Sequence, residues 1–206
     1  MASVCDAGPR CSRRETSTLP QLEAQRPAAL LYTSGTTGTP KGVPLTHANL
    51  CANVEALLDA NLSGPDDRVF VPLPLHHAYP LTVGLLAPIA VGAPVVLPAG
   101  ITRPQIMRAL REGRCTIMIG VPRIYEALMQ AIDDQVRARG AIGASAFQGM
   151  LAASIWASRL LGWRVGRTLF ASLHRRLGPE LRLLASGGAR LDPDLACGCR
   201  DWAGRC

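Results

Sequence analysis

One lysine stands among 21 arginines in this 206-residue chain, and it closes a run of residues suited to holding oxyanions. Lys41 ends the stretch Thr33-Ser34-Gly35-Thr36-Thr37-Gly38-Thr39-Pro40-Lys41, with Tyr32 before it and Gly42 after. Glycine lets backbone N–H groups approach a ligand closely. Ser and Thr hydroxyls add donors, and an ammonium on a flexible stem supplies a point charge. A loop of this kind, following a short apolar strand, makes an anion-binding concavity that fits a polyphosphate. The plainer reading is a flexible Gly/Thr turn whose lone lysine reflects coding bias, and the density of donors over these residues argues against it.

Two further segments carry chemistry. Leu73-Pro74-Leu75-His76-His77-Ala78-Tyr79 places an imidazole two residues before an aromatic. Taken alone, His77 reads more readily as a core imidazole satisfied by backbone than as a group facing a ligand. Ser186-Gly187-Gly188-Ala189 is a second Gly-rich loop after an apolar run.

These residues need elements to hold them. The pattern predicts a strand at 28–32, then a helix capped by Thr46 and reaching about Leu58, with Leu50, Val54, Leu57 and Leu58 on one face. Strands follow at 68–71, 94–97, 115–119 and 181–185. Between them the sequence predicts an apolar helix over 79–91, interrupted near Pro88. Thr102 caps a helix with Pro104 in its first turn and Ile106, Met107 and Leu110 on its apolar face. Another starts at Pro122 with Ile124, Tyr125, Leu128 and Ile132. Two more are expected at about 144–161 and 164–177. Alternating strands and helices predict an α/β fold with largely parallel strands, in which ligands sit beyond the carboxyl ends of the strands. Both Gly-rich loops occupy such positions.

Composition narrows the classes. Apolar residues make up 48% and charged residues 18%, which fits a globular chain with a sizeable core. The net charge of +7 could serve nucleic acid, but aromatics are only 4% and no basic run interleaves with them, so nucleic-acid binding is not expected. Seven cysteines gather at the two ends, with only Cys51 and Cys115 in the body. No apolar leader core opens the chain, so a reducing cytoplasmic setting is expected. The apolar stretch 81–97 is broken by Gly84, Pro88, Gly92 and Pro94, which is poor material for a membrane span. Arg164, Arg167, Arg175, Arg176 and Arg182 alternate with apolar positions. That face reads either as solvated or as a weak peripheral contact with anionic lipid.

The 33–42 stretch resembles the phosphate-binding signature of the adenylate-forming (AMP-binding) superfamily, which includes acyl-CoA synthetases, luciferases and peptide-synthetase adenylation domains. It is not a Walker A loop, because Pro40 precedes Lys41 and Gly42-Val43 follow it. On this resemblance Thr33, Ser34, Gly35, Thr36, Thr37, Gly38 and Lys41 grip ATP phosphates. His77 and Tyr79 match the family's His-x-aromatic motif beside the acyl carboxylate. Ser186, Gly187, Gly188 and Ala189 match the loop along adenine and acyl group, with Arg190 where proline is common. Val121-Pro122-Arg123-Ile124-Tyr125-Glu126 looks most like the long-chain fatty acyl-CoA synthetase branch. The implied reaction joins a fatty acid or other carboxylate to ATP with Mg²⁺, giving an acyl-adenylate that CoA then captures.

The resemblance covers about 28–196. Residues 1–27 are expected to form a loose tail and 197–206 an aberrant one. The family's metal-holding Glu motif, ribose-binding Asp and C-terminal lysine domain have no counterpart in this sequence. The expectation is a fragment, inactive by itself. Other adenylating ligases and a non-catalytic nucleotide- or acyl-binding remnant stay open as alternatives. Oligomeric state is not readable.

Overall fold

The computed structural model describes residues 21–33, 39–137, 149 and 178–193. It divides into two units, one ending at Asn53 and the other beginning at Val54. The expected helices at 144–161 and 164–177, and the basic face among them, fall almost wholly outside the described residues.

In the first unit, β1 (Pro27–Thr33) pairs antiparallel with β2 (Lys41–Thr46), with Thr33 opposite Lys41 and Leu30 opposite Pro44. The sequence reading anticipated β1 but not β2. Proline cannot donate to a ladder and argues against a central strand. A two-stranded hairpin has only edge strands, so Pro44 is tolerated there. α1 (His47–Asp59) follows directly, its first seven residues in this unit and the rest in the second. Its cap is reciprocal: the Thr46 hydroxyl accepts from the Asn49 N–H at 3.2 Å, and the Asn49 side-chain oxygen accepts from the Thr46 N–H at 3.1 Å. Leu50, Val54 and Leu57 are half-buried, whereas Leu58, expected beside them, is exposed.

The second unit is built on a four-stranded parallel sheet in the order β4-β3-β5-β6, comprising β3 (Val69–Phe70), β4 (Val95–Val96), β5 (Ile117–Gly120) and β6 (Leu183–Ser186). Side chains alternate across it. Phe70, Met118 and Leu184 face one side, where α3 (Arg103–Glu112) contributes Leu110 and α4 (Pro122–Arg137) contributes Tyr125 and Leu128. Val69, Val71, Ile117, Ile119 and Leu183 face the other, where Val83 and Val91 pack. Burial on both faces explains why these strands read as continuous apolar runs. Each fully buried Phe70, Leu110, Met118 or Leu184 side chain stabilises the fold by about 1.5–3 kcal/mol.

The helix expected over 79–91 has an unexpected geometry. Pro80–Leu86 is π-helical and passes into the short α2 (Ala87–Val91). The Ala87 N–H donates to the Thr82 carbonyl, five residues back. Pro88 has no N–H to continue a regular ladder, and the Thr82 hydroxyl draws on the Ala78 carbonyl at 2.8 Å. Gly92, at φ 75°, ends α2 in the left-handed conformation.

Candidate functional site

The site-bearing residues lie in both units. In the first, Thr33 closes β1 and Lys41 opens β2, both exposed, with the Thr33 hydroxyl donating to the Lys41 carbonyl at 3.4 Å. The hairpin therefore brings the two ends of the Gly/Thr loop together. Ser34, Gly35, Thr36, Thr37 and Gly38 lie outside the described residues. A Cβ on Gly42 would meet Leu30 Cδ1 at 3.2 Å, so this glycine sits tight against a β1 side chain.

In the second unit the structure joins Tyr79 to the Ser186–Ala189 loop at the carboxyl ends of β5 and β6. The Tyr79 hydroxyl donates to the Ala185 carbonyl at 2.9 Å, across 106 residues of chain. Its ring lies flat on Gly187, where an added Cβ would stand 2.4 Å from Tyr79 Cε2. Only glycine permits that approach. Burial pushes the Tyr79 phenol up to about 12, against the lowering pull of the Gly120 backbone, so the hydroxyl keeps its proton as a donor through neutral pH. The Gly187 N–H donates to the Gly120 carbonyl at 3.1 Å, and Gly188 turns the loop at φ 79°. Ser186, Gly188 and Ala189 are exposed.

His77 is not a core imidazole. It is exposed, its ring 4.2 Å from that of His76, in the turn just before the π-helical segment. Its carbonyl accepts from the Leu81 N–H at 3.1 Å, which ties it to the same segment that begins beside Tyr79.

The sequence reading placed Tyr125 on the apolar face of its helix and within the Val121–Glu126 stretch, with no contact assigned to it. The Tyr125 hydroxyl lies 2.8 Å from the Ala185 carbonyl and 3.1 Å from the Met118 carbonyl. Its ring is buried against Gly120, where an added Cβ would stand 2.9 Å from Tyr125 Cζ. A signal was present in the string Gly120-Val121-Pro122, a glycine at a strand end just before a helix start, but it named no partner. Cys115 is buried, and burial pushes its thiol up to about 12, which makes it an inert core residue. Cys51 is exposed, and neither is in a disulfide. Among the described residues no group of three or more His, Cys, Asp or Glu could hold a metal ion, and no helix is long and apolar enough to cross a membrane.

A parallel sheet with a Gly-rich loop after β6 and an aromatic laid on that loop matches a known class, while the Gly/Thr loop, expected beyond a parallel strand, follows β1 of the antiparallel hairpin. The family model described as AMP-binding enzyme matches residues 5–206, and the chain belongs to that family. The sulfoacetate–CoA ligase of Cupriavidus necator is 42% identical over 113 residues, covering 55% of this chain and 22% of that protein. The peroxisomal long chain acyl-CoA synthetase 7 of Arabidopsis thaliana is 31% identical over 179 residues, 82% of this chain and 24% of its own length. A solved malonyl-CoA ligase with methylmalonyl-CoA and AMP bound superposes with a TM-score of 0.59 at 26% identity, over 90% of this chain and 33% of that one. VinN in complex with L-aspartate gives 0.61 at 19% identity, a likeness of fold alone. The chain spans about a quarter of the curated relatives it matches.

Proposed function

We propose that this chain carries the phosphate-gripping and acyl-facing part of an ATP-dependent carboxylate–CoA ligase. The carboxylate oxygen attacks the α-phosphorus of ATP. The O–P bond forms as the bond to pyrophosphate breaks, and the product is an acyl-adenylate. The CoA thiolate then attacks the acyl carbon, forming the C–S bond and releasing AMP. Little acid–base work is needed in the first step. Catalysis comes from alignment and from neutralising phosphate charge. Thr33, Ser34, Gly35, Thr36, Thr37, Gly38 and Lys41 serve the phosphates. His77 and Tyr79 flank the acyl carboxylate, and Ser186–Ala189 runs along adenine. The described residues offer no carboxylate set for the Mg²⁺ that the resemblance implies, and no step here runs through it.

The observation that carries this reading is the family match over residues 5–206. For the substrate class we favour a fatty acid. Long chain acyl-CoA synthetases align over 82% of this chain, whereas the sulfoacetate–CoA ligase aligns over 55%. The Glu and Asp that the resemblance assigns to metal and ribose are not in this sequence, so the 206 residues alone should bind nucleotide without completing the reaction.

The test is calorimetric titration of the purified chain with ATP. Saturable binding is expected, weakened about tenfold or more by Lys41→Ala, since a charge-assisted hydrogen bond contributes about 1.5–3 kcal/mol. No binding, or equal binding by the variant, would overturn the reading. Acyl-adenylate formed by this chain would overturn the expected lack of turnover.

A further inference from the structure

Two tyrosines meet on one carbonyl. Tyr79 precedes the π-helical segment, whose Val83 packs on the sheet face formed by Val71, Ile119 and Leu183. Tyr125 lies in α4 on the opposite face, packed with Phe70, Met118 and Leu184. Both hydroxyls reach the Ala185 carbonyl, at 2.9 and 2.8 Å. Each ring fills the space a glycine leaves at a strand end, Tyr79 over Gly187 and Tyr125 over Gly120. These glycines are themselves joined by the 3.1 Å bond from the Gly187 N–H to the Gly120 carbonyl.

We infer that Tyr125 is a positioning residue for the Ser186–Ala189 loop. It acts through the Ala185 carbonyl, which it holds from one face of the sheet while Tyr79 holds it from the other. Among the described residues β6 ends the sheet order, and no strand there lies beyond it to steady its exit. The chain leaves the ladder at Ser186 and turns at Gly188, at φ 79°, where the absence of a Cβ adds no restraint of its own. Anchoring the last carbonyl before this exit from both faces fixes where the loop begins. Tyr125 does not need to touch a ligand to do this. Its partner Met118 carbonyl lies on β5, so the phenol also registers β5 against β6.

The inference rests on the proposed function for one part only, that this loop runs along adenosine. Two readouts on the full chain separate the two. The first is amide hydrogen exchange of Ser186–Arg190 in Tyr125→Phe, Tyr79→Phe and the double variant. Phenylalanine keeps the ring against its glycine and removes only the hydroxyl. Loss of one such bond should speed exchange at Gly187 by up to about tenfold, with β3 unchanged. The double variant should exceed the product of the singles, because the carbonyl then has neither phenol. The second readout is selectivity, the ratio of affinity for ATP over inorganic tripolyphosphate. It should fall by a similar factor in Tyr125→Phe, while tripolyphosphate binding stays at the wild-type value.

Unchanged exchange at Gly187, or exchange raised equally in β3 and β6, overturns the positioning role. Local exchange that rises without loss of ATP selectivity overturns the link to adenosine. A wild-type chain that binds neither anion sinks the proposed function, while the exchange comparison still decides whether Tyr125 holds the loop.

Discussion

A methyl group at residue 187 tests how tightly Tyr79 is held. An alanine there would place its Cβ 2.4 Å from Tyr79 Cε2 and 2.6 Å from Cζ. The ring cannot yield freely, because its hydroxyl is bonded to the Ala185 carbonyl. Gly187→Ala should therefore cost about 1–3 kcal/mol by overpacking and swing the phenol toward water. Its pKa should drop from about 12 toward the ordinary value of 10.0, as followed by ultraviolet titration of the phenolate. Gly188→Ala is the control. The nearest atom to its added Cβ is Val121 Cγ1 at 3.6 Å, but its φ is +79°. That variant should lose about 1 kcal/mol of backbone energy and leave the Tyr79 titration where it is. If both variants shift the phenol alike, the ring is not seated on Gly187 in particular.

At the scale of the element, the π-helical segment shows what the sequence could and could not reveal. An apolar helix at 79–91 with a break near Pro88 was legible from composition. Its π register was not, because Pro88 and the Thr82 hydroxyl announce a disturbed ladder without fixing which carbonyl the Ala87 N–H then takes. Gly84 sits so close to β5 that an added Cβ would meet Ile119 Cδ1 at 2.5 Å and Val71 Cγ1 at 3.1 Å. On helix propensity alone, Gly84→Ala should gain about 1 kcal/mol. The sheet reverses the sign, and a net loss of about 1–2 kcal/mol in urea unfolding is expected. A stabilised variant would mean the segment can lift off the sheet at no cost. The parallel strands were legible because the central β3 and β5 are apolar runs buried on two faces. β2 was hidden by Pro44. The role of Tyr125 was hidden because its partner carbonyl lies 60 residues away, and nothing local to α4 announces it. The phosphate loop stood out for the opposite reason, since its residues act together as neighbours in sequence.

At the scale of the whole sheet, the end opposite the site is held by a network that no sequence motif announced. Asp67, Thr116 and Arg182 lie just before β3, β5 and β6, three adjacent strands. The carboxylate of Asp67, a residue only 6% exposed, accepts from Arg182 Nε at 2.8 Å and from Arg182 Nη2, the Thr116 hydroxyl at 2.7 Å and the Gly64 N–H at 2.9 Å. Arg182 also donates to the Leu62 carbonyl at 3.0 Å. Burial alone would raise the Asp67 carboxyl. The guanidinium, the hydroxyl and the amide outweigh it and hold the group below its ordinary 3.8. A carboxyl depressed in the folded state adds stability that is present above the unfolded pKa and lost as pH falls through the folded one. Asp67→Asn keeps the shape and removes the charge. It should cost about 2 kcal/mol at pH 7, less than a fully buried pair because the Arg182 side chain is 39% exposed. Urea unfolding of wild type and variant should show a constant gap from about pH 7 to 5 that begins to narrow below about 4, where the carboxyl of the unfolded chain takes up its proton, and closes as pH falls through the lower folded value. A gap that is absent at pH 7 would mean the network follows the strand starts without holding them. A gap that stays full at pH 3 would mean the loss came from the shape of the amide and not from the missing charge.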